Sequence, residues 1–140
     1  MLKFIFIGVG GGIGASLRYL VDSIIVQNYL IHFPLGTLIV NLIGCFLIGV
    51  AFKIFYYRIV HTKFIPFFIT GFLGALTTFS SYAYTTLILI EKKFYLMAGL
   101  NLLANNVFGI LFAYLGMKGT DFIIKKYLND RYLRREKLWF

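Results

Sequence analysis

Residues 64–90 read FIPFFITGFLGALTTFSSYAYTTLILI, 27 positions without one Asp, Glu, Lys or Arg. As a single α-helix this stretch would run about 40 Å, while the hydrocarbon core of a bilayer is about 30 Å thick. Tilting absorbs such an excess, and so does a break. The sequence offers a break near its middle. Gly71 and Gly74 precede Thr77-Thr78-Phe79-Ser80-Ser81, and glycine and consecutive β-branched threonines weaken a helix. Broken backbone at membrane depth is tolerated only inside protein or beside a water-filled cavity. Carbonyls freed there, and the C-terminal ends of half-helices, can hold a cation.

Three further apolar runs lie outward of this one, at about 4–26, 35–55 and 95–115. Each is long enough to cross a bilayer as a helix, which needs roughly 20 mostly apolar residues. Period-2 alternation is absent over these lengths, so strands are excluded. The first run exceeds a signal peptide's apolar core and leads into a second span. The composition agrees. The chain has 140 residues, 60% hydrophobic, with a mean hydropathy of +0.84 and only 14% charged residues. A soluble domain carries about 25% charged residues. A disordered chain is less hydrophobic, and a disulfide scaffold needs more than the single Cys45. The expected fold class is an all-α membrane protein of four transmembrane helices with a broken third helix. Residues 1–117 form the transmembrane domain and 118–140 a basic cytoplasmic tail.

The net charge is +9. Four spans place both ends of the chain on one side. That side holds Lys3, Lys53, Arg58 and Lys63, and the tail adds Lys118, Lys125, Lys126, Arg131, Arg134, Arg135 and Lys137. The other side holds Lys92 and Lys93. Cytoplasmic loops carry the excess of Lys and Arg, so both termini are predicted to be cytoplasmic in the cell membrane. Without the tail the bias has the same sign but is weaker. Tyr29, Tyr56, Tyr57 and Tyr95 fall near span ends, where an aromatic belt sits. Clustered Lys and Arg beside a span read as a surface for anionic lipid. Apart from charge no nucleic-acid motif is present.

Polar groups at membrane depth are costly, so each one calls for a reason. The first span holds Gly8, Gly10, Gly11, Gly12 and Gly14. Gly10-x-Gly12-x-x-Ala15 fits a loose dinucleotide fingerprint, but it lacks the strand and βαβ unit which that motif requires. Close helix packing through small residues is the ordinary reading. Arg18 either snorkels to the interface or sits at an ion vestibule or subunit interface. In the second span Thr37, Asn41 and Gly44 share a helix face. Asn41 either bonds a neighbouring helix or donates its N–H groups to a permeating anion. Phe79 and Tyr82 lie three apart, and their positive ring edges could line an anion's path or simply pack. Asn101 and Asn105 share a face of the fourth span, with Asn106 beside them. They read equally as interface or pore lining. No enzyme constellation is present: His32 and His61 lack metal-ligand spacing, and Asp22 and Glu91 stand apart near span ends.

Three stretches together resemble the small fluoride channels (Fluc, also called CrcB). They are Gly11-Gly12-Ile13-Gly14-Ala15 with Arg18-Tyr19, Pro34-Leu35-Gly36-Thr37-Leu38 with Val40-Asn41-Leu42-Ile43-Gly44, and Gly71-Phe72-Leu73-Gly74-Ala75-Leu76-Thr77-Thr78-Phe79-Ser80. The resemblance covers about residues 3–117, and the third stretch is its most specific part. It implies an antiparallel dimer with two pores and one structural sodium ion at the dimer centre, held by backbone carbonyls of Gly74 and Thr77 from both subunits. It implies that Asn41 donates to fluoride with Thr37 nearby, and that Phe79 and the residue at Tyr82 are pore aromatics. The hydroxyls of the break, Ser81 among them, and Asn105 complete the expected pore lining. Arg18 is implied to lie towards a vestibule or interface. Passive export of cytoplasmic fluoride, without ATP, follows from the resemblance.

The chain departs from the family pattern at four places. Tyr82 stands where the family usually has Phe, Thr85 where it often has an acid, Asn101 where it has a tyrosine and Asn105 where it has a serine. Two other functions fit a four-span chain. A small multidrug-type, proton-coupled exporter would need a carboxylate at span centre, and none is present. A non-conducting partner subunit of a channel heterodimer is the other. The charge bias bears on this, because identical antiparallel subunits must insert both ways and call for balanced Lys and Arg. The expectation from the bias is a chain inserted mainly one way and paired with an oppositely oriented paralogue. Pairing with itself is the rival.

Overall fold

The computed structural model describes the backbone of residues 1–28 and 33–136, and the side chains of 1–25 and 33–128. Tyr29, His32 and Lys137 lie outside the described residues, as do the side chains of Arg131, Arg134 and Arg135. The described structure is helical throughout. Helix α1 spans Leu2–Asn28 and α2 spans Leu35–Tyr56. The third span opens with a short turn at Thr62–Phe64 and a π-helical segment at Pro66–Leu73, which runs into α3, Gly74–Leu76. After a two-residue break it resumes as α4, Phe79–Glu91. The fourth span is α5, Tyr95–Leu103, a π-helical turn at Ala104–Phe108, and α6, Gly109–Glu136. Four segments are long and apolar enough to cross a membrane: Leu2–Ile25, Leu35–Tyr56, Thr62–Glu91 and Tyr95–Leu128.

The expected break is present, and wider than the glycine and threonine pattern suggests. Thr77 and Thr78 are extended, at φ −79°, ψ 152° and φ −147°, ψ 111°. The half before them is π-helical rather than α-helical. Such segments are frequent at functional sites. Pro66 opens that half where its missing N–H costs nothing.

Helix ends are closed by specific devices. Arg58 and Lys93 adopt positive φ, 54° and 63°. After α2, the Arg58 N–H donates to the Phe55 carbonyl and the Ile59 N–H to that of Ile54. After α4, Lys93 and Phe94 repeat the pattern on Ile90 and Leu89. Both are left-handed caps that satisfy carbonyls a helix would leave orphaned, and they use a cation where glycine is usual. His61 stands between the second and third apolar segments and accepts from the Lys63 N–H at 3.1 Å, capping the short turn.

Helix α2 is central. It packs along α6, and also against α1 and the third span. Helix α1 packs on the first half of the third span. Glycines set these approaches. A Cβ on Gly10 or Gly14 would strike the carbonyl oxygens of Phe67 and Phe72, and one on Gly49 or Gly116 would strike those of Ala113 and Phe46. The glycine run of α1 thus divides by face. Gly10 and Gly14 are packed, while Gly8 and Gly12 meet nothing within 4 Å.

Helix α6 continues past residue 117 without interruption, so the basic tail begins as an extension of the fourth span. Asp121 ties this extension to α2. It pairs with Lys53 at 2.9 Å and Lys125 at 2.8 Å, and accepts from the Tyr57 hydroxyl at 2.8 Å. The cations assigned from sequence to one membrane face therefore meet there.

Candidate functional site

The break is held open by side chains that take its amide protons. In a continuous helix the Thr78 N–H would bond the Gly74 carbonyl, and the Ser81 N–H that of Thr77. Here the Thr78 N–H donates to Asn41 Oδ1 at 2.9 Å, and the Ser81 N–H to Thr78 Oγ1 at 3.1 Å. Thr78 is the N-cap of α4, and Ser and Thr are preferred at that position. These two exchanges remove the helical donors of Gly74 and Thr77. Thr77 Oγ1 turns back to the Leu73 carbonyl at 2.9 Å. Gly74 is exposed, and a Cβ there would meet only Ile69 O, at 3.5 Å. Nothing among the described residues demands a glycine at that position.

Beside the break lies a cavity of about 340 Å³. Asn41, Gly74, Thr77, Phe79, Tyr82 and Asn105 line it, together with Thr78 and Asn106. Thr37 and Ser81 instead line a second cavity of about 730 Å³, which also holds Asp22, Thr85 and Lys92. Arg18 lines neither and is half-buried on α1. The two cavities lie on either side of the break segment, which gives Thr78 and Phe79 to one and Ser81 to the other.

A chain of amides crosses between the spans. Asn41 Nδ2 donates to Asn105 Oδ1 at 2.9 Å, and lies 3.4 Å from the Thr78 carbonyl oxygen. Asn105 Nδ2 donates to Asn101 Oδ1 at 2.9 Å, and Asn101 Nδ2 to Thr86 Oγ1 at 2.8 Å. Thr86 Oγ1 in turn donates to the Tyr82 carbonyl at 2.8 Å. Asn101 is fully buried at 0% exposure. Its face of the fourth span is therefore internal, not lipid-facing or free for a partner. Asn106 follows Asn105 within the π-helical turn and donates to the Tyr82 hydroxyl at 2.9 Å.

Phe79 and Tyr82 stack edge-to-face, centroids 5.4 Å apart at 65°. Phe79 is 78% exposed while Tyr82 is 7% exposed. The pair thus presents one open and one enclosed aromatic.

Sequence reasoning singled out every one of these positions except Thr78 as an N-cap, Thr86, and Asn106 as the partner of Tyr82. Thr78 carried a signal, since it lies in the predicted break and threonine is a preferred N-cap for a half-helix that follows one. The other two carried none, because Asn101 and Asn106 meet residues 15 and 24 positions away.

The family model for CrcB-like protein (camphor resistance, CrcB) matches residues 5–117. The chain is 46% identical over 123 residues to a "Fluoride-specific ion channel FluC" of Methanococcus maripaludis, covering 87% of this chain and 98% of that one. It is 44% identical over 112 residues to a protein of the same name from Helicobacter pylori strain J99, covering 79% and 86%. It is 39% identical over 118 residues to another from Shewanella pealeana, covering 84% and 95%.

Proposed function

The chain belongs to the CrcB-like family of multi-pass membrane ion channels, not to an enzyme family, and on that premise we propose that it is a fluoride-selective channel through which cytoplasmic fluoride leaves the cell passively. The observation that carries this reading is the cavity beside the break. It gathers amides, hydroxyls and ring edges with no charged side chain among its lining.

Fluoride is small and strongly hydrated. A pore for it must replace lost water with close donors, yet release the ion again. A full Lys charge favours entry and opposes exit. Asn41 meets this requirement with its amide. One Nδ2 proton is engaged by Asn105, while the other points to a carbonyl at the long distance of 3.4 Å. Exchanging that weak contact for an anion costs little. The Thr78 contact on Oδ1 fixes the amide plane meanwhile. Phe79 and Tyr82 offer positive edges where fewer donors are available.

The residues of the break also fit a structural sodium ion. Gly74 and Thr77 have lost their helical donors, and neutral oxygens are the ligands such a cation takes. The ion, when bound, supplies a fixed positive charge beside an anion path. Gly74 and Phe79 are both exposed in the single chain, and a second, antiparallel copy or paralogue placed on that face would complete the site and cover the ring. The Lys and Arg bias favours both termini in the cytoplasm and a partner of opposite orientation.

The test is fluoride efflux from liposomes, with chloride as control. Wild-type protein is expected to pass fluoride and retain chloride. Asn41→Ala is expected to cut fluoride efflux at least about tenfold, the factor for losing one hydrogen bond to a charged group, and Phe79→Ala is expected to lower it by removing the exposed ring edge. Unchanged flux in both variants removes those residues from the path.

A further inference from the structure

We propose that the Tyr82 hydroxyl is a fluoride donor within the cavity, and that Asn106 is the residue that positions it. The inference rests on the channel reading above and adds a specificity-determining group to it. Where the resemblance leads one to expect a bare phenyl ring, this chain carries a phenol.

The geometry of one hydrogen bond decides what that phenol can do. A tyrosine hydroxyl both donates and accepts. Asn106 Nδ2 stands 2.9 Å from the Tyr82 oxygen, and an amide nitrogen can only donate. The acceptor side of the hydroxyl is therefore filled. Its own proton has no acceptor among the described residues, although the residue is 93% buried, being 7% exposed, and lines the cavity. A buried donor without an acceptor costs free energy unless a partner arrives. An anion is such a partner. Donation from Asn106 also polarises the O–H group and strengthens it as a donor.

Asn106 is itself held in place. Its Nδ2 also donates to the Leu102 carbonyl at 2.7 Å, so both amide protons are assigned and the amide cannot turn to accept from Tyr82. The π-helical turn at Ala104–Phe108 brings Asn105 and Asn106 to bear on the cavity together, Asn105 on Asn41 and Asn106 on Tyr82. The phenol, from the third span, and the Asn41 amide, from the second, thus line the same 340 Å³ space. The Phe79 edge contact fixes the ring plane between them.

The experiment measures the fluoride concentration that half-saturates efflux from liposomes, for wild type, Tyr82→Phe, Asn106→Leu and the double variant. Tyr82→Phe is expected to raise that concentration about tenfold, the effect of losing one hydrogen bond to an ion. Asn106→Leu is expected to raise it several-fold, and to add nothing once Tyr82 is already Phe. A purely packing role for Asn106 would persist in the Phe background. The proposal is overturned if Tyr82→Phe leaves half-saturation within twofold of wild type, or if the two effects multiply. Should Asn106→Leu not insert, Tyr82→Phe still decides, because it deletes one oxygen and keeps the ring. Wild-type protein that passes no fluoride would sink the channel reading itself. Wild-type flux with an indifferent Tyr82→Phe sinks the donor alone.

Discussion

Asn101 shows how far a single residue's meaning depends on its partner. It is fully buried and bonds both Thr86 and Asn105. Asn101→Leu keeps the branching and the number of heavy atoms but removes the donor to Thr86 and an acceptor of Asn105. Interhelical side-chain hydrogen bonds in membranes are worth about 0.6–2 kcal/mol. The variant is expected to lose about that much stability, read as a lower unfolding temperature in detergent. A Thr86→Val change in the Asn101→Leu background should cost little more, because the bond shared with Asn101 is already gone and the remaining Thr86 bond, to the Tyr82 carbonyl four residues back, is of a kind that adds little to a helix. Two asparagines on one face were legible in the sequence as a polar stripe. Whether that stripe met lipid, a second subunit or another helix was not, because the answer is Thr86, which reads by itself as an ordinary helix residue. Tyr82 repeats the lesson. Its hydroxyl was visible, while the amide that sets the direction of its proton comes from another span.

Among the elements, the third span was the most legible and the fourth the least. Excess length, two glycines and paired threonines foretold a break. They did not foretell a π-helical first half, which packs closely on α1 at Gly10 and Gly14, because such tertiary contacts are not contained in local propensity. The break itself depends on Thr78. Thr78→Ala is expected to cost about 1 kcal/mol, the usual loss at an N-cap, while Thr78→Ser should retain most of it. The Ala variant also releases the Ser81 N–H to return to the Thr77 carbonyl. If that carbonyl holds sodium, the variant should need more sodium to reach a given unfolding temperature than the Ser variant does. Equal sodium dependence in the two would separate the cap from the cation site. In the fourth span, no glycine or proline stands within Ala104–Phe108 to announce the π-helical turn. Its register follows from contacts to α2 and to Tyr82, which local propensity does not contain.

For the whole molecule, the governing quantity is the distribution of charge. The cations on one face include Lys53 and Lys125, which meet at Asp121. That cluster fastens the α6 extension to the end of α2, so the tail's first turns belong to the folded unit. The expected outcome for tagged protein in intact cells is that both termini are inaccessible from outside. Replacing Lys118, Lys125, Lys126, Arg131, Arg134, Arg135 and Lys137 with Gln should yield a mixture of orientations, since the bias outside the tail is small. Full outside accessibility of both tags in the unmodified chain would overturn the orientation, whereas accessibility from both sides would support pairing with itself and remove the case for an oppositely biased partner.

Spans and the existence of a break follow from the sequence alone, because a bilayer imposes a length and a polarity that a chain satisfies locally. The charge pattern is likewise read residue by residue. The site is otherwise. Which carbonyls lose their helical donors depends on where the Thr78 and Ser81 amide protons go, and one of them goes to Asn41, 37 positions away. Only the tertiary structure decides that. Hydrophobic length is a property of a segment, whereas the direction of a hydrogen bond belongs to a pair.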